Sequence, residues 1–392
     1  MNLIDIQSAL REANFDGWLF YDHHHRDPIA YRVLEINPAM CTRRWYYLIP
    51  REGEPAKLVH RIEAHNLASL PGAEDRYSSW REQREGLSRL LQGRKRVAMQ
   101  YSALNNIPYV GLVDAGTVEL VKSCGVEVVS SADLVQQFEA RWSEEQWQSH
   151  LAAGRVVHQA LRTAFKAIRD AVGSGKELSE FDVQQKMMRV FDENNVTTDE
   201  APCVAVNVNS ANPHYSPSRE LSAPIRAGDF VLVDVWGKQT KPGAVYFDIT
   251  WTGHVGETVP ERYTKVFDVV REARDTAILL VRKSLQAGRV LHGYEVDDAA
   301  REVIERNGYG RFFVHRTGHS IGEDVHGNGA NMDNFETHDE RRIVPRTCFS
   351  IEPGIYLDEF GVRSEVNVFT ESGDASVTGE IQTQIVPILA AS

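Results

Sequence analysis

The feature that most constrains this chain is a pair of carboxylates set into strand-forming runs. The stretch "VLVDVWGKQTKPGAVYFDITW", Val231 to Trp251, places Asp234 and Asp248 among Val, Leu, Phe and Ile residues that read as buried strand. An ionised group that leaves water without a partner is destabilising or takes up a proton, so other residues must compensate these two. With Asp234 opposite Asp248, Trp236 faces Tyr246 and Lys238 faces Ala244, which leaves "QTKPG" as a five-residue turn. Such a hairpin sets both carboxylates side by side on one face, where like charges repel unless a cation lies between them.

The rest of the chain supplies a scaffold for such a site. Its 392 residues, 42% hydrophobic and 25% charged, suffice for two domains. Residues 1–142 alternate short strands, as in "DGWLFYD", "AKLVH", "RVAMQYS" and "VEVVS", with helical stretches at "VDAGTVELVKSCG" and "SADLVQQFEA". They read as a compact α/β domain. Ser143-Glu-Glu-Gln146 has the form of a capping box and opens a long amphipathic helix to about Val172. Residues 143–392 therefore read as a second domain of α+β type. Further helices are expected from Ser179, from Pro260 to Ala287 and from Glu295 to Asn307.

Several function classes are disfavoured. A net charge of −12 without a basic, aromatic-interleaved run argues against nucleic acid. No run of about 18 apolar residues suggests a membrane span, and the first residues lack the pattern of a secretory leader, so a cytoplasmic location is expected. Cys41, Cys124, Cys203 and Cys348 form no CxxC pair and read as reduced packing residues. Three adjacent histidines in "DHHHRDP", Asp22 to Pro28, cannot all aim at one ion from an extended chain and read as a surface or inter-subunit loop. "GHSIGEDVHGNG" has neither the lysine end of a phosphate loop nor GxGxxG spacing.

Other polar residues complete a set. "FFVHRTGHSIGEDVHGNG" carries His315, His319 and His326, "CFSIEPGIY" carries Glu352, and "FGVRSEVNVF" carries Glu365. Each is a weak signal alone. Two Asp, two Glu and one His in β-rich segments form a carboxylate-dominated donor set suited to divalent ions such as Mn²⁺, Co²⁺ or Zn²⁺. Four carboxylates exceed what one ion needs, and two ions about 3.5–4 Å apart satisfy them economically.

The ordered set Asp234, Asp248, His319, Glu352 and Glu365, with "DIT", "HRTGHSIGEDVH", "IEPGIY" and "GVRSE", resembles the pita-bread metallopeptidases in their Xaa-Pro aminopeptidase and prolidase branch. The resemblance implies a creatinase-like N-terminal α/β domain and a pita-bread domain with a curved antiparallel sheet. It implies that Asp234 binds one of two metal ions, that His319 and Glu352 bind the other, and that Asp248 and Glu365 bridge. His214 and His326 would assist catalysis with Glu352 as proton carrier, and His315, Arg363 and His338 would contact substrate. The implied activity is hydrolysis of Xaa-Pro peptide bonds by a metal-bridging hydroxide, most often with Mn²⁺, in a homodimer.

Three departures from the family pattern stand out. The two aspartates are fourteen positions apart, implying a longer turn. "DITWT" has Trp251, and "RSEV" has Val366, where an arginine and an acid are usual, which reads as a compensated swap. His338 stands near where prolidases carry an arginine, with Arg341, Arg342 and Arg346 close by, so an aminopeptidase P-like preference fits as well as a dipeptidase one. The alternative enzyme is a creatinase-like C–N hydrolase of a small amide or amidine. A non-catalytic binding module on the same fold is disfavoured by the complete ligand set.

Overall fold

The computed structural model describes residues 2–38 and 40–390. The chain divides into two compact units, Met1–Glu139 and Ala140–Ser392. This break falls ahead of Trp142, the expected end of the first domain, because Trp142 stacks on Phe369 and packs against His150 in the core of the second unit.

The first unit holds a six-stranded sheet in which Gly17–Asp22 lies centrally, antiparallel to Trp45–Pro50 and parallel to Arg96–Met99. Ala56–His60 with Ala73–Tyr77 extends one side, and Glu127–Ser130 the other. Both faces are covered. One core gathers Trp18, Phe20 and Tyr47, the other Leu19, Tyr46 and Leu48, so neighbouring residues of one strand serve opposite faces. "WYYLIP" is fully buried and so lacks the alternation of a half-exposed strand. The four cysteines are free, and Cys41, Cys203 and Cys348 are buried.

The second unit is built from two helix pairs, each packed on its own set of strands. Helices α1 (Glu144–Gly173) and α2 (Glu180–Glu193) share a core with strands β1 (Cys203–Val206), β2 (Phe230–Gln239) and β3 (Phe247–His254). Helices α3 (Glu261–Gln286) and α4 (Gly293–Arg306) share another with β4 (Cys348–Ile351), β5 (Gly361–Arg363), β6 (Val366–Glu371) and β7 (Asp374–Thr378). The cap of α1 forms as its sequence specifies: Ser143 Oγ accepts from Gln146 N at 3.1 Å, and the Gln146 side chain accepts from Ser143 N at 2.9 Å. Glu180 is fully buried at the start of α2, where it accepts from Val206 N, Ala223 N, Asn209 and Tyr215 and ties that helix to β1.

The two sheets meet edge to edge. Glu365 N donates to Thr250 O at 3.2 Å, and Asp248 N donates to the Asn367 side chain at 3.2 Å. The expected hairpin register is shifted by two residues: Asp234 pairs with Thr250, and Asp248 with Trp236. The ladder closes at Phe247, opposite Gly237, and Tyr246 N donates instead to Gly322 O. A shift of two preserves side-chain parity, so both aspartates still share one face, diagonally rather than side by side. No helix among the described residues is long and apolar enough to cross a membrane.

Candidate metal centre

The strands deliver four carboxylates and a histidine to that face. Asp234 and Asp248 lie within β2 and β3, whereas Glu352 and Glu365 lie at strand interruptions. Glu352 follows β4 just before Pro353, and its N–H is taken by Thr317 O. Glu365 falls between β5 and β6. His319 is brought in by an unusually close backbone approach at Gly318, where a Cβ would sit 2.0 Å from Ser350 O, so only glycine fits. Ser350 Oγ accepts from His319 N at 2.9 Å and fixes the residue from the other side.

The geometry leaves negative charge unanswered. Asp248, His319 and Glu365 each offer a donor atom, all within 4.8 Å of one another. The His319 Nδ1 group faces Ser320 O at 3.2 Å, a contact it can make only as a donor. With Nδ1–H committed, the Nε2 lone pair of the neutral ring points between Glu352 Oε1 at 3.4 Å and Asp248 Oδ2 at 3.6 Å. Burial lowers the pKa of this ring, although Glu352 works in the opposite direction. A lone pair facing two carboxylate oxygens is repulsive unless a cation stands among them.

The carboxylates repeat the point. Burial first, and then neighbouring Asp234, raise Asp248 well above the usual carboxylate range. Burial and then Asp248 do the same to Glu365, and burial raises Glu352. Asp248 Oδ1 and Glu365 Oε1 are buried without a hydrogen-bond partner. The Thr250 hydroxyl reaches Glu365 at 2.8 Å and Asp234 at 3.1 Å, but its one proton serves only one of them at a time. Buried oxygen donors, two of them orphaned, and one imidazole lone pair fit divalent cations of the harder kind.

Arg363 is the main internal counter-charge. Its guanidinium bonds Asp234 directly, donates to Thr250 Oγ1 at 2.9 Å and to Tyr356 Oη at 3.0 Å, and approaches Glu352 at 3.8 Å. From Tyr356 the chain continues to His315, whose Nε2 lies 2.8 Å from the phenol and whose Nδ1 lies 2.6 Å from Arg316 O. Burial, and then Arg363, push His315 down to about 3. It is therefore neutral, donating from Nδ1 and accepting from Tyr356. Both its ring nitrogens are engaged, and Arg363 is similarly committed, so neither presents a free group where substrate contacts were expected.

The remaining expected site residues are spread out. His326 stands edge-on to His319 with ring centroids 4.4 Å apart, and withdrawal from water followed by His319 lowers its pKa to about 3. His214 is exposed and near enough to bear on the charge of His326. His338 is exposed, bonded to Asn334 at 2.8 Å and packed on Tyr294, with no contact to the five-residue cluster. Trp251 and Val366 are not a matched pair. Trp251 has the opposite parity to Asp248 and packs beside His158 on the α1 side, while Val366 is buried in the core of the α3 and α4 half.

Metallopeptidase family M24 matches residues 148–372, more than half of the chain and the whole interval that carries these side chains. The chain belongs to metallopeptidase family M24. An Xaa-Pro dipeptidase of Lactobacillus helveticus is 30% identical over 239 residues, covering 60% of this chain and 59% of that protein. The chain thus matches about three-fifths of the length of this curated relative. Among solved structures, dipeptidase PepE from Mycobacterium ulcerans superposes with a TM-score of 0.68 at 22% identity, covering 98% of this chain and 96% of that one. The prolidase from Pyrococcus horikoshii OT3 gives 0.62 at 21% identity, covering 98% and 100%. The M24 chain therefore has the two-domain pita-bread fold.

Sequence reasoning missed Thr250 and Tyr356. Thr250 had a usable signal, since it lies two residues from Asp248 and must share its face. Tyr356 had none, because its role depends on a long-range approach to Arg363 and His315.

Proposed function

We propose that this M24 protein is a dinuclear-metal hydrolase of Xaa-Pro peptide bonds, with Mn²⁺ as the preferred metal and Co²⁺ or Zn²⁺ as substitutes. The observation that carries the reading is the convergence of Asp248, His319 and Glu365, whose donor atoms lie within 4.8 Å of one another, with Glu352 Oε1 3.4 Å from His319 Nε2. Asp234 would hold one ion, His319 and Glu352 the other, and Asp248 and Glu365 would bridge. Bound divalent ions supply a nucleophile at neutral pH by lowering the pKa of a water ligand, and they polarise the scissile carbonyl.

The chain's own residues then divide the remaining work. Glu352, beside His319 at the cluster, would carry a proton to the leaving nitrogen. Arg363 holds Asp234 in place, and through Tyr356 it is tied to the neutral His315, so these three are positioning residues. His214 and His326 offer N–H donors to the developing oxyanion. The exposed His338 has no role in this scheme. We further infer a cytoplasmic homodimer, the dimer being checked by light scattering of the purified chain.

The test is hydrolysis of Xaa-Pro dipeptides, longer Xaa-Pro-Yaa peptides and creatine-like amides, each with added Mn²⁺, Co²⁺ or Zn²⁺. Release of the residue before proline from either peptide class supports the reading, and the class cleaved separates dipeptidase from aminopeptidase. Turnover of the amides alone, or no turnover with any of the three metals, overturns it.

A further inference from the structure

The first unit contains a cavity of about 620 Å³ that is independent of the metal cluster and lies wholly within residues of that unit. Its size falls in the range of small-molecule sites, roughly 300–1,000 Å³. Three arginines line it, Arg26, Arg43 and Arg44, with Tyr21, Tyr77 and Trp80 as aromatic walls. In a chain of net charge −12, this is a concentrated cationic surface.

The carboxylates nearby, Asp114 in the lining and Glu63 within the field of Arg43, are each committed to other donors. Asp22 accepts from the backbone N–H groups of His25, Arg26 and Asp27 and from Tyr31. Glu63 accepts from the backbone of Thr42 and Arg43 and from the Thr42 hydroxyl. Asp114 caps a helix through Thr117 and meets the Tyr21 hydroxyl. Among the described residues, no ion pair joins the Arg26, Arg43 or Arg44 guanidinium to a carboxylate, and the Arg43 side chain bonds only Thr42. The positive field is felt locally: His23 is pushed down by burial, then by His24, Arg26 and Arg44.

The "DHHHRDP" loop is built to hold this arrangement. His24 and His25 are consecutive non-glycine residues in the left-handed region, with φ of 66° and 54°. Such sparsely populated backbone persists only where its surroundings fix it, and it concentrates at ligand sites. Here the Asp22 carboxylate, by accepting the next N–H groups, pins the loop so that Arg26 reaches the cavity wall. His60 turns both ring nitrogens to the backbone, Nδ1 accepting from Ile62 N at 3.3 Å and Nε2 meeting Ser78 O at 3.2 Å.

We propose that this cavity is a binding site for a small organic oxyanion, a carboxylate or a phosphate ester carrying a flat ring, with Arg26, Arg43 and Arg44 holding the anionic group and the aromatic walls the ring. Guanidinium groups match both oxyanions in geometry and stack on rings, and the three arginines outnumber Asp114, the one carboxylate in the lining. The site is separate from the proposed peptidase activity and stands or falls without it.

Isothermal titration of the full chain with benzoate, phenyl phosphate and neutral benzamide tests it. At least one anion is expected to bind, with benzamide weaker by about tenfold or more, and Arg43→Ala and Arg44→Ala each weakening the anion by a similar factor. Binding of benzoate alone or phenyl phosphate alone supports the site and names its anion. Asp248→Ala should leave binding intact. If Arg44→Ala does not fold, Arg26→Ala combined with Arg43→Ala carries the same test. No anion binding, equal binding of benzamide, persistence in the arginine variants, or loss in Asp248→Ala would each overturn the proposal.

Discussion

Two groups of buried acids in the second unit have opposite surroundings. Asp297 and Asp339 are completely buried, yet each of their oxygens is met from within the chain. Asp297 accepts from Thr317 N and Oγ1, Asn334 N and the Arg301 fork, and Asp339 accepts from Asn331 N, Arg341 N and the Arg341 fork. Asp234, Asp248, Glu352 and Glu365 share one arginine, the hydroxyl protons of Thr250 and Ser350 and a histidine ring, and two of their oxygens have no partner. Burial raises Asp297 too, but Arg301 and Thr317 oppose it. A buried carboxylate therefore says little by itself. What distinguishes a metal centre from a structural pin is whether the chain supplies the counter-charge.

The largest expected contrast comes from removing one acid of each kind. Asp339→Ala strands the buried Arg341 and should cost about 3–5 kcal/mol of stability, with Asp297→Ala, beside the part-buried Arg301, at the lower end. In metal-free protein, Asp248→Ala or Glu365→Ala removes repulsion and should leave stability unchanged or higher, while abolishing dinuclear binding. Urea unfolding of chelated variants reads both. Equal losses in the two groups would erase the distinction.

Next in size is the support around the ligands. Arg363→Ala and Gly318→Ala should each lower metal affinity about 10–100-fold, the first by releasing Asp234 and the second by forcing His319 away from Ser350. Competition with a chelator measures this. His214→Ala should lower turnover by about 10²-fold with metal content unchanged, as for loss of one oxyanion donor. Metal loss in that variant would contradict its assigned place.

Proton linkage gives a smaller effect with a definite sign. Asp248, Glu352 and Glu365 have folded-state pKa values raised above those of the unfolded chain. Without metal, the folded state then binds more protons than the unfolded one. Their contribution is complete below the unfolded carboxylate values of about 4 and is lost as pH rises through the folded values. Chelated wild type should therefore melt lower at pH 8 than at pH 5, and Glu365→Gln should narrow the gap. An equal gap in both proteins would speak against buried, unneutralised acids. At the small end, Trp251→Phe should cost about 1 kcal/mol and leave metal content alone, since Trp251 packs toward α1.

These particulars show what can be read from a sequence. Charges in apolar strands mark themselves by their cost, so Asp234, Asp248 and Glu365 are visible, and Ser143 announces a helix by local chemistry. Hairpin register is different. Two residues of slip leave the hydrophobic pattern unchanged, and the strand end is marked by Tyr246 N donating to Gly322 O, 76 residues along the chain. Arg363 is visible as a charge in "GVRSE", but its position against Asp234, rather than open to a substrate, is fixed only by the meeting of two sheets. The pairing of Trp251 with Val366 fails for the same reason: sequence shows both departures but not that they pack into different cores.

The most direct test of the central claim is metal analysis of the chain after loading with Mn²⁺ and exhaustive dialysis, in parallel with Glu365→Ala. The wild type is expected to retain about two ions per chain and the variant at most about one. A wild type that retains none, or a variant that retains as much as the wild type, would contradict the reading of these buried acids as a metal centre.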